Sequence, residues 1–194
     1  MTDPVLHVIV GPNGAGETTL YERVLHPATM LDFVNADHIA ALRWPHDALE
    51  HAYDAARLAA TERSARIASR SSFVTETVFS HESKIELLRD ARRSGYRVHL
   101  HVVLVPVELS VARVRMRVEH GGHDVPETKI RERHQRLWSQ VVTATSLAHD
   151  VTYYDNTVAR TPFVIVAEFA DGQAIGPVRW PAWTPPELRD LGSA

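Results

Sequence analysis

Residues 5–19 read Val5-Leu6-His7-Val8-Ile9-Val10-Gly11-Pro12-Asn13-Gly14-Ala15-Gly16-Glu17-Thr18-Thr19, or VLHVIVGPNGAGETT. A short apolar run enters a glycine-rich turn, and the turn enters a segment able to form a helix. The turn has the frame of a phosphate-binding loop, G-x-x-x-x-G-K-[ST], with its full eight-residue spacing, but Glu17 stands where the lysine belongs. A strand that ends in such a turn aims several backbone N–H groups at one point, and the helix dipole adds positive potential there. Gly11, Gly14 and Gly16 permit the backbone angles and close approach, with Asn13, Ala15 and Thr19 completing the cradle. Thr18, at the start of the helix, is placed to ligate Mg²⁺ through its hydroxyl.

Glu17 reverses the charge that such a loop uses. Lysine at this position offsets the charge of the β- and γ-phosphates and follows the transferring group. A unit charge at about 4 Å contributes roughly 4 kcal/mol at an effective dielectric near 20, so exchanging attraction for repulsion weakens catalysis by many orders of magnitude. Two readings of Glu17 follow: natural loss or change of chemistry, or a single disabling substitution in an active enzyme. The intact neighbouring positions favour the second.

The rest of the chain limits what surrounds the loop. With 194 residues, 44% hydrophobic, the chain is expected to form one domain over 1–194. A formal charge of -3 argues against a general nucleic-acid binder. The absence of cysteine excludes disulfide scaffolds, thiolate zinc sites and cysteine nucleophiles. Met1-Thr2-Asp3-Pro4 carries no basic leader, and the apolar run after it is too short for a membrane span, so a cytoplasmic, membrane-free protein is expected.

Short β-type runs alternate with helical patterns, the order that yields a mainly parallel sheet flanked by helices. Strands are expected at Val5–Val10, near Asp32–Val34, at Ser72–Thr75 and from Tyr96 to Val105, and closing strands at Tyr153-Tyr154 and Phe163–Phe169 with a hairpin through Asp171-Gly172. Helices are expected from the loop to about Val24 and from Ser83 to about Ser94. Another is expected from Asp47 to about Ser69, with Asp47 and Glu50 as a capping box and Leu49, Ala52, Tyr53, Ala56 and Ala59 as its apolar positions. Two more follow, Glu108 to His120 with a stripe of Val107, Val111, Val114 and Val118, and one after Pro126 to about Ala148 with Ile130, Leu137, Val141 and Thr145 facing the core. Arg113 with Arg117, and Arg133 with Arg136, flank the loop containing Gly121-Gly122, an arginine-bearing lid over about 113–136. The Trp/Pro-rich tail, about 177–194, is read as packing on its own domain or as an interface anchor.

Several polar residues fall where ligands of open α/β sheets collect. Asp37 follows the second strand and is read as a general base or as a helix cap. Glu76 and Thr77 follow the third strand, where they suit substrate hydroxyls or Mg²⁺-bound water. His120, His123 and Asp124 have the H-x-x-H spacing of a metal site, but without further ligands His123 reads better as a lid residue. Tyr154-Asp155-Asn156 either borders an adenine pocket or caps a strand.

The chain resembles the zeta toxin family of P-loop kinases, in its short free-standing branch. The resemblance covers about residues 5 to 157 and rests on GPNGAGETT at 11–19, Asn35-Ala36-Asp37, Thr75-Glu76-Thr77, the run from Ala112 to Pro126 with its Gly-Gly-His-x-Val-Pro segment, then Ile130, Arg133 and Arg136, and Tyr154-Asp155-Asn156. It implies an α/β P-loop NTPase fold and transfer of phosphate from ATP or GTP, with Mg²⁺, to the 3′-hydroxyl of the sugar in UDP-N-acetylglucosamine or a related sugar nucleotide. It further implies catalytic roles for Asp37, Arg117 and Arg133, nucleotide contacts from the loop, Arg113 and Asn156, and substrate contacts from Asn35, Asp37, Glu76, Thr77, His123 and Arg136. An antitoxin protein would act in trans. Two alternatives stand beside this expectation: an inactive nucleotide- or partner-binding regulatory module, and a P-loop kinase of another small hydroxylated substrate.

Overall fold

The structure is a computed structural model that describes residues 3–76, 83–120 and 125–192. Its framework is a seven-stranded sheet in the order β2-β3-β1-β4-β5-β6-β7. The strands are β1 (Val5–Val10), β2 (Phe33–Val34), β3 (Phe73–Glu76), β4 (Arg97–Leu104), β5 (Asp150–Asp155), β6 (Val164–Ala170) and β7 (Gln173–Ala174). Strands β1 to β5 pair in parallel, while β6 and β7 add antiparallel at one edge through the Asp171-Gly172 turn. The expected α/β sheet is therefore present.

Helices close both faces. On one, α4 (Ala52–Ala68), α5 (Ser83–Arg93) and α7 (Glu127–Leu147) bury Ala59, Leu88, Trp138 and Val141 against Leu6, Val8, Val98, Leu100 and Val102. On the other, Leu20 and Leu25 meet Ile9, Val74, Val103 and Tyr154. A helix α6 (Val107–Glu119) packs Val111 and Val114 against Val125 and Ile130. Trp138 donates its indole N–H to His134 Nδ1 at 3.3 Å, and His134 Nε2 lies 3.0 Å from the Val105 carbonyl, so α7 is fixed to the end of β4. Among the described residues no helix is long and apolar enough to cross a membrane.

Three local expectations change. The helix after the glycine loop does not stop near Val24: α1 (Glu17–Leu20) passes through a π-turn (Tyr21–Leu25) into α2 (His26–Thr29). Pro27 has no N–H to give to a regular α-ladder, and the wider π-turn lies immediately before it. The Asp47–Glu50 capping box does not form; residues 45–51 make turns, closed by Trp44 stacking on His51 at 4.4 Å, and α4 starts at Ala52. Its buried positions are Ala55 and Ala59, while Leu49 and Tyr53 are 61% and 76% exposed, because small alanines let α4 approach α3 (Ala36–Arg43) closely.

The C-terminal segment packs on its own sheet. Trp180 meets the Tyr153 ring edge-on at 5.0 Å, Trp183 lies against the main core, and α8 (Pro186–Arg189) buries Leu188 completely. This removes the tryptophans as free interface anchors. Leu188→Ala is expected to cost about 2–5 kcal/mol, the usual range for emptying a packed leucine site, measured by urea unfolding. A loosely attached tail would show no change.

Candidate nucleotide and substrate cleft

Parallel pairing of β3 and β1, and of β2 with β3, brings three strand ends to one edge of the sheet. Gly11 follows β1, Asn35 and Asp37 follow β2, and Glu76 ends β3. A cleft of about 330 Å³ opens there, lined by Gly11, Asn13, Gly14, Gly16, Glu17, Thr18, Thr19, Asp37, Glu76, Arg113 and Arg117. Residues singled out in the sequence from four separate segments thus share one cavity.

The glycine loop has the backbone of a phosphate cradle. Gly14 and Gly16 adopt φ of 73° and 103°, in the left-handed region where a side chain is strained. A Cβ at Gly16 would also stand 2.7 Å from Asn156 Nδ2, so the position has no room for one. Three outside groups brace the loop through its carbonyls. Asn156 Nδ2 donates to Ala15 at 2.7 Å, Arg113 donates to Gly14 and Ala15 at 3.3 and 3.4 Å, and the Ser110 hydroxyl donates to Asn13. Arg113 also donates to the Asn156 carbonyl at 2.7 Å, which ties β5, α6 and the loop together.

Glu17 turns its carboxylate back into this cradle. The Gly16 N–H donates to Glu17 Oε2 at 3.0 Å, and Oε1 would lie 3.1 Å from a Cβ placed on Gly11. An N–H that would receive a phosphate oxygen is thereby engaged by the chain's own carboxyl group. Burial pushes the Glu17 carboxyl well above the usual carboxylate range; the N–H groups of Glu17 and Gly16 and the charge of Arg117 pull it back, and Asp37 adds to the rise. The frame of the loop fits a phosphate, whereas its occupant at position 17 does not.

Glu76 stands beside it. Its Oε2 accepts from Asn35 Nδ2 at 2.7 Å and from the Thr18 hydroxyl at 3.3 Å. Burial, then the charges of Glu17 and Asp37, raise its carboxyl as well. Asn35 is 5% exposed, and its Oδ1 also accepts the His38 N–H at 3.0 Å, so it caps α3 and positions Glu76 instead of facing the cavity. Asp37 occupies the first turn of α3 with its side chain on the cleft. Thr18, Glu76 and Asp37 present hard oxygen donors on one wall, a set suited to Mg²⁺ that keeps several of its waters.

The remaining arginines differ in placement. Arg117 lines the cleft, whereas Arg133 and Arg136 do not; Arg136 is exposed and donates to the Glu132 carbonyl at 3.3 Å. Thr77, His123 and Asp124 lie outside the described residues. A second cavity of about 330 Å³ adjoins the loop, lined by Arg23, Arg113, Asn156, Ala159, Pro162 and Phe163 among others. As site residues, Arg23, Ser110 and Phe163 escaped the sequence reading. Ser110 shares a helix face with Arg113 at i, i+3, and that spacing was its only signal. Phe163 carries φ of 56°, a strain that sequence does not reveal.

Comparison with known proteins bears on the family and the fold. A family model described as Zeta toxin matches residues 2–161. An uncharacterized protein of Haemophilus influenzae is 30% identical over 125 residues, which make up 64% of this chain and 88% of that protein. A chain of the PezAT chromosomal toxin–antitoxin system of Streptococcus pneumoniae superposes with a TM-score of 0.65 at 15% identity, over 85% of this chain and 72% of that one. A chain of the AvrRxo1-ORF1:-ORF2 complex solved with ATP gives 0.68 at 18% identity, over 88% of this chain but only 59% of its own length. At these identities the structural likeness is one of fold.

The carboxylates leave a signature in stability. An acid whose folded pKa lies above its unfolded value holds more protons in the folded state, so stability falls as pH rises from the ordinary carboxylate range toward the raised value. Glu17→Gln removes one such group and relieves Glu76. We expect the variant to be more stable than the parent at neutral pH, with the gap narrowing toward pH 4 and closing below it. Thermal unfolding across pH 4–8 measures the difference; parallel curves would show that Glu17 is not held protonated by the fold.

Proposed function

The chain belongs to the zeta toxin family of P-loop phosphotransferases, and we propose that it is a small-molecule kinase whose transfer step is blocked by Glu17. The reading is carried by one observation: a phosphate cradle, Asp37, Glu76 and Arg117 share a single cleft, and what stands against phosphate there is the Glu17 carboxylate resting on the cradle's own N–H. The nucleotide is ATP or GTP, and the acceptor is the 3′-hydroxyl of the sugar in UDP-N-acetylglucosamine or a related sugar nucleotide. Support for ATP comes from the fold shared with the AvrRxo1 complex solved with it.

In the Glu17→Lys form each residue has a task. Asp37 orients the acceptor hydroxyl and takes its proton. The introduced ammonium and Arg117 hold phosphate oxygens, and guanidinium suits this because its planar fork can contact two oxygens at once. Arg113 keeps the loop carbonyls turned away from the phosphates. Thr18 and Glu76 are the residues that would hold Mg²⁺, which would supply positive charge against the transferring group. Arg133, Arg136 and His123 are assigned to the substrate as parts of a lid over about 113–136. Phe163 and Asn156 border the base of the nucleotide in the adjoining cavity. Because PezAT is a toxin–antitoxin system, the reading includes a separate antitoxin protein that acts in trans.

A second reading has an observation of its own. Glu17 and Arg117, an acid and a base, line the same cleft, so the pair can hold it shut and leave a binding or regulatory module that needs no nucleotide. A mass-resolved transfer assay with Mg²⁺ and a panel of sugar nucleotides, nucleosides and polyols separates the two. We expect no transfer from the chain as it stands, transfer to UDP-N-acetylglucosamine by Glu17→Lys, and a further loss of about 10²–10⁴-fold when Asp37→Asn is added. Transfer to another acceptor would keep the kinase and change the substrate. Nucleotide binding by Glu17→Lys without transfer to anything would favour the regulatory module.

A further inference from the structure

Away from the cleft, the parallel register of β1 and β4 sets His7 beside His99. His101 lies two residues further along β4 and so on the same face. One ring nitrogen from each of the three lies within 4.8 Å of the other two. His7 Nδ1 and His101 Nε2 are 2.9 Å apart, and the His99 and His101 rings stack with centroids separated by 4.1 Å. His101 is 2% exposed, while His7 and His99 keep partial access to solvent. We propose that His7, His99 and His101 bind a borderline divalent transition-metal ion, with Zn²⁺ the best match, at a site separate from the nucleotide cleft.

The donor set carries the identity of the ion. Three imidazoles with water in a fourth position are a zinc arrangement, whereas Mg²⁺ and Ca²⁺ take oxygen. Zinc–nitrogen bonds of about 2.0–2.1 Å place tetrahedral ligand atoms roughly 3.3 Å apart. The close His7–His101 pair therefore opens by a few tenths of an ångström and the widest pair closes by at most about 1.5 Å, within reach of side-chain rotation. Asp150, in register with His99, is held at both oxygens by Arg97 at 2.6 and 2.7 Å and is left out of the set.

Hydroxyl groups on β5 stand behind the rings, as outer partners of metal-binding histidines do. Thr152 Oγ1 lies 3.1 Å from His99 Nε2, and the Tyr154 hydroxyl lies 3.2 Å from His101 Nδ1. With the His101 proton on Nδ1 toward Tyr154, its Nε2 presents a lone pair to the proton on His7 Nδ1. The ion replaces that proton when it moves to His7 Nε2, a change of tautomer with no net proton release. Because β1 runs directly into Gly11, an ion here clips together the two strands beneath the glycine loop.

Equilibrium dialysis with Zn²⁺, thermal unfolding and Co²⁺ absorption on the full chain test the site. We expect one tightly bound equivalent, the intense visible bands of four-coordinate cobalt, and a rise in Tm on the order of 5–10 °C at a hundredfold excess over Kd. His7→Gln and His99→Gln should each weaken binding at least tenfold, and His120→Gln should leave it unchanged. Binding that is indifferent to the first two variants, or absent altogether, overturns the proposal. Imidazole nitrogen shifts in the unaltered chain keep the test decisive if a variant fails to fold: Zn²⁺ must move His7, His99 and His101 before the other nine of the chain's 12 histidines, and a different order refutes the site.

Discussion

Both sites depend on the parallel pairing of β1 between β3 and β4. Parallel strands end on the same edge, so the loop after β1 and the acid at the end of β3 meet without any contact in sequence. The same pairing, a few residues earlier, lays His7 against His99. The core reinforces it from both sides, with Leu6, Val8 and Val10 turned to one helix layer and Ile9 to the other. A shift of one residue in register would turn these side chains to the opposite faces and dissolve both constellations.

The cleft that results is electrostatically unusual. Glu17, Asp37 and Glu76 converge on one cavity, with Arg117 on its wall and Arg113 committed to carbonyls of the loop. Burial and mutual repulsion favour protonation of Glu17 and Glu76, opposed by the hydrogen bonds that each receives. A phosphate cradle without its lysine retains backbone N–H groups in need of an anion. An oxygen of the Glu17 carboxyl group accepts from one of them, the Gly16 N–H, so part of the cradle is satisfied within the chain itself.

The edge of the sheet is finished differently. β6 and β7 turn antiparallel, and the C-terminal segment folds back so that Trp180, Trp183 and Leu188 extend the core beneath β5. Strands β5 and β6 are thereby covered on the face that carries Tyr153 and Phe169. Asn156 follows β5 and holds the loop through the Ala15 carbonyl.

Local chemistry made much of this readable from residues alone. The apolar runs, the glycine spacing and the strand–loop–helix order determined the sheet and its phosphate cradle, because each depends on neighbours in sequence. Asp37 and Glu76 could be named because polar residues directly after buried strands fall on one edge in any parallel sheet. The capping box at Asp47 does not form: residues 45–51 turn, with the Trp44 and His51 rings stacked across them, and α4 starts only at Ala52. Only the tertiary structure decided which way Glu17 points, that Arg113 braces the loop while Arg133 and Arg136 stand off it, and that Phe163 borders a second cavity. It alone joined His7 to His99 and His101, since strand register is set by packing across the whole sheet and leaves no mark on either strand separately.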